Sequence, residues 1–249
     1  MSKRHRARFV ALVDLLARLH PDVDHHVIGA GRVLVDGRVL TNPRASVRAD
    51  ASVRVVPSHR LRGAIKLTFA LDEFGVDVCG RIALDVGASA GGFTSSLLDR
   101  GATRVYAVDA GIGQLLGRLR ADSRVVDLEG HNLGVLDRLL VPDRVDVVTM
   151  DLSYLALHDA VRQLDRVELA DDADLVVLVK PTFELRRGAL AATDTEVAAA
   201  TEHAVDGIVA NGWTVVATCA APRTGRGGAR EAFVYATRAR DGISGEASG

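Results

Sequence analysis

The sequence predicts a doubly wound α/β domain behind a small α+β module, on three observations. From Arg81 onward, short β-branched runs alternate with helical patterns. Most of these runs are apolar on successive residues, as strands buried on both faces of a parallel sheet must be. Before Arg81 the runs are shorter, they alternate, and a strong turn signal separates two of them.

In the N-terminal part, "RFVALVDLLARLH" has the spacing of an amphipathic helix. "GRVLVDGRVL" then sets Asp36-Gly37 between two alternating apolar runs, the signature of a hairpin with a primed turn. "ASVRVV" adds another strand, and residues 1–56 make up the module. Residues 57–80 hold the linker "PSHRLRG" and the first helix of the main domain, which occupies 81–240. The Ser/Gly-rich tail 241–249 is expected to be disordered.

In the main domain the strands read as "RIALDV", "RVYAVD", "RVVDL", "VDVVTMD", "ADLVVLV", "WTVVATC" and "AFVYATR". Between the first two, "GGFTSSLLDRG" places Leu97 and Leu98 four and five residues after Phe93. Before the last two, "TDTEVAAATEHAVDGIVANG" opens on a capping box of Thr193 and Glu196 and closes at Gly212. The loop between those last two strands is too short for a crossover helix, so they should run antiparallel.

A chain of 249 residues, 48% hydrophobic and 25% charged, has ordinary globular composition. It lacks the ~18 uninterrupted apolar residues of a membrane helix. Its N-terminus has no cleavage pattern, so a cytoplasmic protein is expected. Cys79 and Cys219 have no CxxC spacing, which argues against a disulfide framework and against a zinc or other metal site. The net charge is −1, but it is unevenly spread: in residues 1–62 twelve basic residues face five aspartates, which leaves −8 for the rest. A basic module on an acidic body suits contact with RNA or DNA, although a solvated basic tail would look the same.

"IALDVGASAGGFT" is a strand, a small-residue loop and a helix start, the usual nucleotide cradle of this fold. Gly87 and Gly92 match the first and third glycines of G-x-G-x-x-G, but the second position is Ser89. A side chain there argues against a pyrophosphate, and there is no P-loop lysine. A nucleoside cofactor without phosphates fits better, and S-adenosylmethionine is the common one. The candidate cradle is Gly87, Ala88, Ser89, Gly91, Gly92 and Phe93, with Asp85 facing the methionine ammonium. Asp109 ends the next strand, where an acid can accept both ribose hydroxyls, or it caps a helix after "AGIG". Asn132 could meet the adenine edge or simply form a turn.

Of 31 basic residues three are lysines: Lys3, Lys66 and Lys180. A chain that otherwise uses arginine needs a reason to keep a lysine, and the ability to lose a proton is one. Lys180 and Asp151 each end a strand, at the edge where α/β folds place their sites.

The segments "RGAIKL", "LDEFGVDVCGRIALDVGASAGGFT", "VYAVDAGIGQL", "LRADSRV", "MDLSYLAL" and "VKPTFE" resemble the TlyA family of ribosomal RNA 2'-O-methyltransferases. The resemblance runs from about Val27 to Tyr235. It implies an S4-like RNA-binding module before a Rossmann-like, FtsJ-like methyltransferase domain that uses S-adenosylmethionine. It also implies a Lys-Asp-Lys-Glu tetrad, carried over here to Lys66, Asp151, Lys180 and Glu231, with Asp151 also bordering the cofactor. Lys180 is the candidate base, oriented by Asp151. Lys66 would hold the hydroxyl or a phosphate, and Glu231 would balance it. Carboxylates favour the ammonium form of a lysine, whereas a second lysine and burial favour the amine. Two structural ion pairs are the plain alternative.

RNA contacts are expected at Arg32 and Arg38 in the module, at Arg60 and Arg62 in the linker region, and at Arg223, Arg226 and Arg230 in "RTGRGGAR". Three departures from the family stand out. The glycine-asparagine pair before the glutamate is Gly228-Ala229, the phenylalanine after it is Ala232, and the Ser-Arg expected upstream of the hairpin is His20-Pro21. Ribosomal RNA or ribosomal subunits are the implied partners, with no membrane partner. A small-molecule O-methyltransferase and a non-catalytic RNA-binding protein are the competing readings.

Overall fold

The computed structural model describes residues 8–29, 33–55, 61–185, 192–222 and 230–238. The chain divides into two compact units, Met1–His59 and Arg60–Gly249. The tail 241–249 lies outside the described residues.

In the first unit, β1 (Phe9–Ala11) leads directly into α1 (Leu12–Leu19), followed by α2 (His26–Gly29). β2 (Val33–Val35), β3 (Arg38–Val39) and β5 (Val53–Val55) form a sheet in the order β3-β2-β5, and β4 (Ser46–Arg48) pairs with β1. Asp36 and Gly37 have φ of 47° and 81°, the two left-handed centres a primed turn requires, and Val35 pairs with Arg38 across them. The helical reading of residues 8–20 needs correction at its start. Phe9 to Ala11 are extended because they pair with Arg48, Val47 and Ser46, and the helix begins only at Leu12. Leu12, Leu15 and Leu16, on one helical face, then pack with Val27, Ile28, Val33 and Val47.

The second unit opens with α3 (Arg62–Phe74), stopped by Gly75 in the left-handed region. Then follow β6 (Ile82–Val86), α4 (Gly92–Asp99), β7 (Arg104–Asp109), α5 (Gly117–Arg120), β8 (Val125–Glu129) and β9 (Val145–Met150). The chain continues through α6 (Leu157–Arg162), β10 (Leu169–Val179), α7 (Pro181–Glu184), α8 (Asp194–Ala210), β11 (Trp213–Ala220) and β12 (Ala232–Arg238). The seven strands lie in the order β11-β12-β10-β9-β6-β7-β8. The five from β10 to β8 are parallel, and β12 is antiparallel to both its neighbours. The expected capping box is present on α8, with both reciprocal bonds between Thr193 and Glu196 made.

Burial on two sides is visible within β6. Leu84 and Val86 join a cluster with Leu157, Ala200, Ala204 and Ile208 of α6 and α8, while Ala83 joins Leu67, Leu71, Phe93 and Leu97 of α3 and α4. β10 starts four residues earlier than the run "ADLVVLV" suggests. Its first part carries exposed Asp171 and Asp172 across a register shift, residues with low strand preference that hide the strand in sequence. At the amino edge of the parallel strands, Arg81 pairs with Asp174 and donates to the Asp146 carbonyl at 2.7 Å. Tyr235 donates to the same Asp174 at 2.8 Å, so that edge is closed by a satisfied polar network.

Beneath the first loop, Asp85 is fully buried and accepts bonds from Thr94 Oγ1 at 2.6 Å and Thr149 Oγ1 at 3.2 Å. It thereby ties β6 to α4 and β9. Burial pushes its carboxyl up to about 7, against the pull of the two threonines. The folded value lies above the unfolded one, so the native state keeps a proton that the unfolded chain has lost. The contribution of Asp85 to stability must therefore fall as pH rises from about 4 to about 7. Urea unfolding followed by the fluorescence of Trp213, the chain's single tryptophan, reads this unit alone. Between about pH 5.5 and about pH 7.5 the parent should lose stability relative to Asp85→Asn; parallel profiles would contradict the account.

Candidate active site

The cradle begins where β6 ends. Gly87 and Ala88 both donate to the Val108 carbonyl, at 2.8 and 3.0 Å, which binds the loop to β7. Gly87 has φ of 85°, and a Cβ on it would stand 2.6 Å from the Asp151 carbonyl oxygen. Glycine is thus needed twice over, for the turn and for the approach of β9. Ser89 also lies in the left-handed region, with φ of 46°. Its N–H donates to Asp109 Oδ2 at 2.8 Å, and Gly111 N–H donates to Oδ1 at 2.7 Å. An ionised carboxylate offers about four lone-pair sites, so Asp109 retains acceptors for further donors. No helix follows "AGIG" directly; α5 starts at Gly117.

Glu129 ends β8 as Asp109 ends β7, and sequence reasoning passed over it. Its carboxylate accepts from Gly113, Gln114 and Leu115 N–H groups and from Arg120. The Leu115 bond, ahead of those from Gly113 and Gln114 and the Arg120 charge, holds this carboxyl below its ordinary range. The segment after Asp109 is therefore pinned from below.

The four tetrad residues come together as two ion pairs at the carboxyl edge. Lys66 pairs with Glu231, and Lys180 pairs with Asp151. Val179 stands opposite Ala232 in the β10–β12 ladder, and continuing that register sets Lys180 opposite Glu231. Proline fixes the rest: Lys180 precedes Pro181 and is extended, with φ −112° and ψ 109°, while Pro181 opens α7. Lys66 comes from α3, which lies against α4 through glycines. A Cβ on Gly92 would stand 2.9 Å from Gly63 Cα, so a small residue is required at the crossing. Thr68 and Ser96 share a bond of 2.8 Å across the same helices, and Arg100 of the α4 C-cap reaches Asp72 of α3.

Lys180 also donates to Ser153 Oγ at 2.8 Å, a partner that no sequence signal indicated. Tyr154, next along, is half-exposed, and burial first and the Asp109 charge second raise its hydroxyl above the ordinary value. Glu184 is buried in α7; it accepts from Leu157 N–H at 2.7 Å and contacts His203 at 3.1 Å, which fastens α7 to α6 and α8.

The remaining expected site residues occupy varied settings. Asp85 is turned into the core, as described, and braces the loop from below. Phe93 is 2% exposed and stacks on Phe233, so its ring belongs to the core and only its backbone lies at the loop. Asn132 is exposed and opens a short 3-10 turn at Leu133–Val135 without a side-chain cap bond. Arg62 is exposed at the start of α3 and Arg38 is exposed on β3. Arg230 pairs with Asp194. Arg32, Arg60, Arg223 and Arg226 lie outside the described residues. Two hollows, of about 620 and 530 Å³, lie elsewhere, one between α8 and β11 and one at the Arg81 edge. Among the described residues no cluster of metal-binding side chains occurs, and no helix is long and apolar enough to cross a membrane.

The model of the FtsJ-like methyltransferases matches residues 59–238. The chain is 41% identical over 219 residues to the 16S/23S rRNA (cytidine-2'-O)-methyltransferase TlyA of Mycobacterium tuberculosis, covering 84% of this chain and 81% of that one. Solved structures named as hemolysins are also similar. One, from Lactococcus lactis, has 29% identity and a TM-score of 0.67 over 72% of this chain and 88% of its own. Another, from Streptococcus thermophilus, has 25% identity and a TM-score of 0.66 over 94% and 90%. The glycine cradle, the strand-end carboxylates and the paired tetrad thus lie within a matched methyltransferase domain, and the chain belongs to the FtsJ-like methyltransferases and, among them, to the TlyA family.

Proposed function

We propose that the chain is an S-adenosylmethionine-dependent methyltransferase acting on a ribose 2'-hydroxyl of ribosomal RNA, in the cytoplasm. The observation that carries this reading is the pairing of Lys180 with Asp151 beside the cradle, with Lys66 and Glu231 paired next to it. The residues suit this cofactor. Gly87, Ala88, Ser89, Gly91 and Gly92 give it backbone, Ser89 in place of glycine disfavours a pyrophosphate, and Asp109 keeps acceptors for the ribose hydroxyls. S-adenosylmethionine, when bound, supplies a methyl group already activated by its sulfonium.

What remains for the protein is alignment and a place for the proton. Lys180 accepts the proton of the 2'-hydroxyl, and Asp151 orients its nitrogen. Lys66 holds the hydroxyl or a neighbouring phosphate, and Glu231 balances its charge. The first unit, with Arg38 and Arg54 exposed on its small sheet, serves as the S4-like grip on RNA.

The direct test is incubation with labelled S-adenosylmethionine and separately purified ribosomal subunits, followed by nucleoside mass spectrometry. A 2'-O-methylated nucleoside in one subunit supports the reading, and none in either overturns it. Asp109→Ala should weaken S-adenosylmethionine binding by about tenfold or more, since charge-assisted bonds to two hydroxyls are lost. Unchanged affinity in calorimetry would remove Asp109 from the site. Lys180→Arg should keep fold and cofactor affinity and lower single-turnover methyl transfer by at least ~10²-fold, because guanidinium keeps its proton. Transfer at near the parental rate would mean that charge alone suffices.

A further inference from the structure

We propose that Ser153 is a positioning residue that aims the lone pair of Lys180 at the substrate hydroxyl. The inference rests on the reading of Lys180 as the base. A lysine on its four-carbon stem can rotate its head freely, and one carboxylate fixes a single direction. Here the nitrogen has two anchors on one strand-end loop, the Asp151 carboxylate and Ser153 Oγ, the latter at 2.8 Å. A neutral amine has only two N–H bonds. One is given to Ser153 Oγ at 2.8 Å, while the Asp151 carboxylate lies against the nitrogen as an ion-pair partner whose Oδ1 accepts no hydrogen bond among the described residues, so Ser153 is the acceptor that sets where the lone pair points.

A hydroxyl suits this second position because it is neutral. A further carboxylate would favour a nitrogen that is already protonated and has no lone pair for the substrate's proton, and Glu231, which the register sets opposite Lys180, is engaged by Lys66. In the step itself, the proton leaves the 2'-hydroxyl for the Lys180 nitrogen. The ribose oxygen bonds to the methyl carbon, and the sulfur keeps the electron pair of the broken C–S bond.

The chain's three lysines make the test tractable, since lysine labelled at 13Cε yields few signals to assign. In Ser153→Ala the Lys180 signal should move and the Lys66 signal should stay. Single-turnover methyl transfer should fall by about tenfold at unchanged cofactor affinity, with the acid limb of the rate displaced to lower pH. Ser153→Thr, which keeps the hydroxyl, should restore the signal and most of the rate. An unmoved Lys180 signal, or a parental rate and pH profile in Ser153→Ala, would overturn the proposal. So would equal impairment of the Ala and Thr variants together with weakened cofactor binding, since that marks a structural role. If the parent itself methylates no ribosomal RNA, the functional reading fails. The Lys180 signal would still report whether Ser153 holds the amine.

Discussion

Gly92 lets α3 lie so close to α4 that a Cβ on it would stand 2.9 Å from Gly63 Cα. Gly87 does the same for the ends of β6 and β9, where a Cβ would stand 2.6 Å from the Asp151 carbonyl oxygen. These two close approaches determine where the chemistry can sit. The first places Lys66 of α3 within reach of Glu231, and the second places Asp151 beside the cradle and under Lys180. Backbone contact of this kind tolerates little adjustment, because packed interiors leave no room for an added methyl group. Flexible lysines thereby acquire fixed positions.

The polar groups follow from that frame. At the amino edge, Arg81, Asp174 and Tyr235 satisfy one another and leave nothing to react. At the carboxyl edge, the charges are paired but partly open, with Lys66 15% and Lys180 19% exposed. Partial exposure matters: a fully buried pair would be inert to RNA, and a fully solvated one would be screened and loosely oriented. Carboxylates at successive strand ends divide the work. Asp109 is held by two N–H groups with acceptors to spare, whereas Glu129 is consumed in fixing the segment from Gly113 to Leu115.

Much of this was legible in the sequence, for identifiable reasons. Central strands such as "LVVLV" at the end of β10 reveal themselves because burial on both faces demands unbroken apolar runs. The Asp36-Gly37 turn and the Thr193 capping box are local devices, independent of distant contacts. β1 and β4 were hidden because, unlike β2 and β3, no local turn signal joins them, and their pairing is a long-range event. Of the candidate site, charged residues at strand ends could be found, but not the direction each one faces. Asp85 looked like Asp109 in sequence, yet it lies under the loop with Thr94 and Thr149. Phe93 follows the glycines as a cofactor contact would, but an aromatic ring gains more from burial against Phe233. Ser153 carries no charge and no period, so only its distance from Lys180 identifies it.

If close backbone approach positions the two ion pairs, and these carry the proposed chemistry, adding one methyl group at the crossing must disturb methyl transfer. Gly117 offers the control, since a Cβ there meets nothing within 4 Å. The decisive measurement is the single-turnover methyl-transfer rate of Gly92→Ala beside Gly117→Ala, with cofactor and ribosomal substrate saturating. A displacement of about 1 Å at a remote contact can cost a large part of the rate. Gly92→Ala should therefore transfer methyl groups at least about tenfold more slowly, with Gly117→Ala at the parental rate. A Gly92→Ala enzyme as fast as its parent would contradict the account.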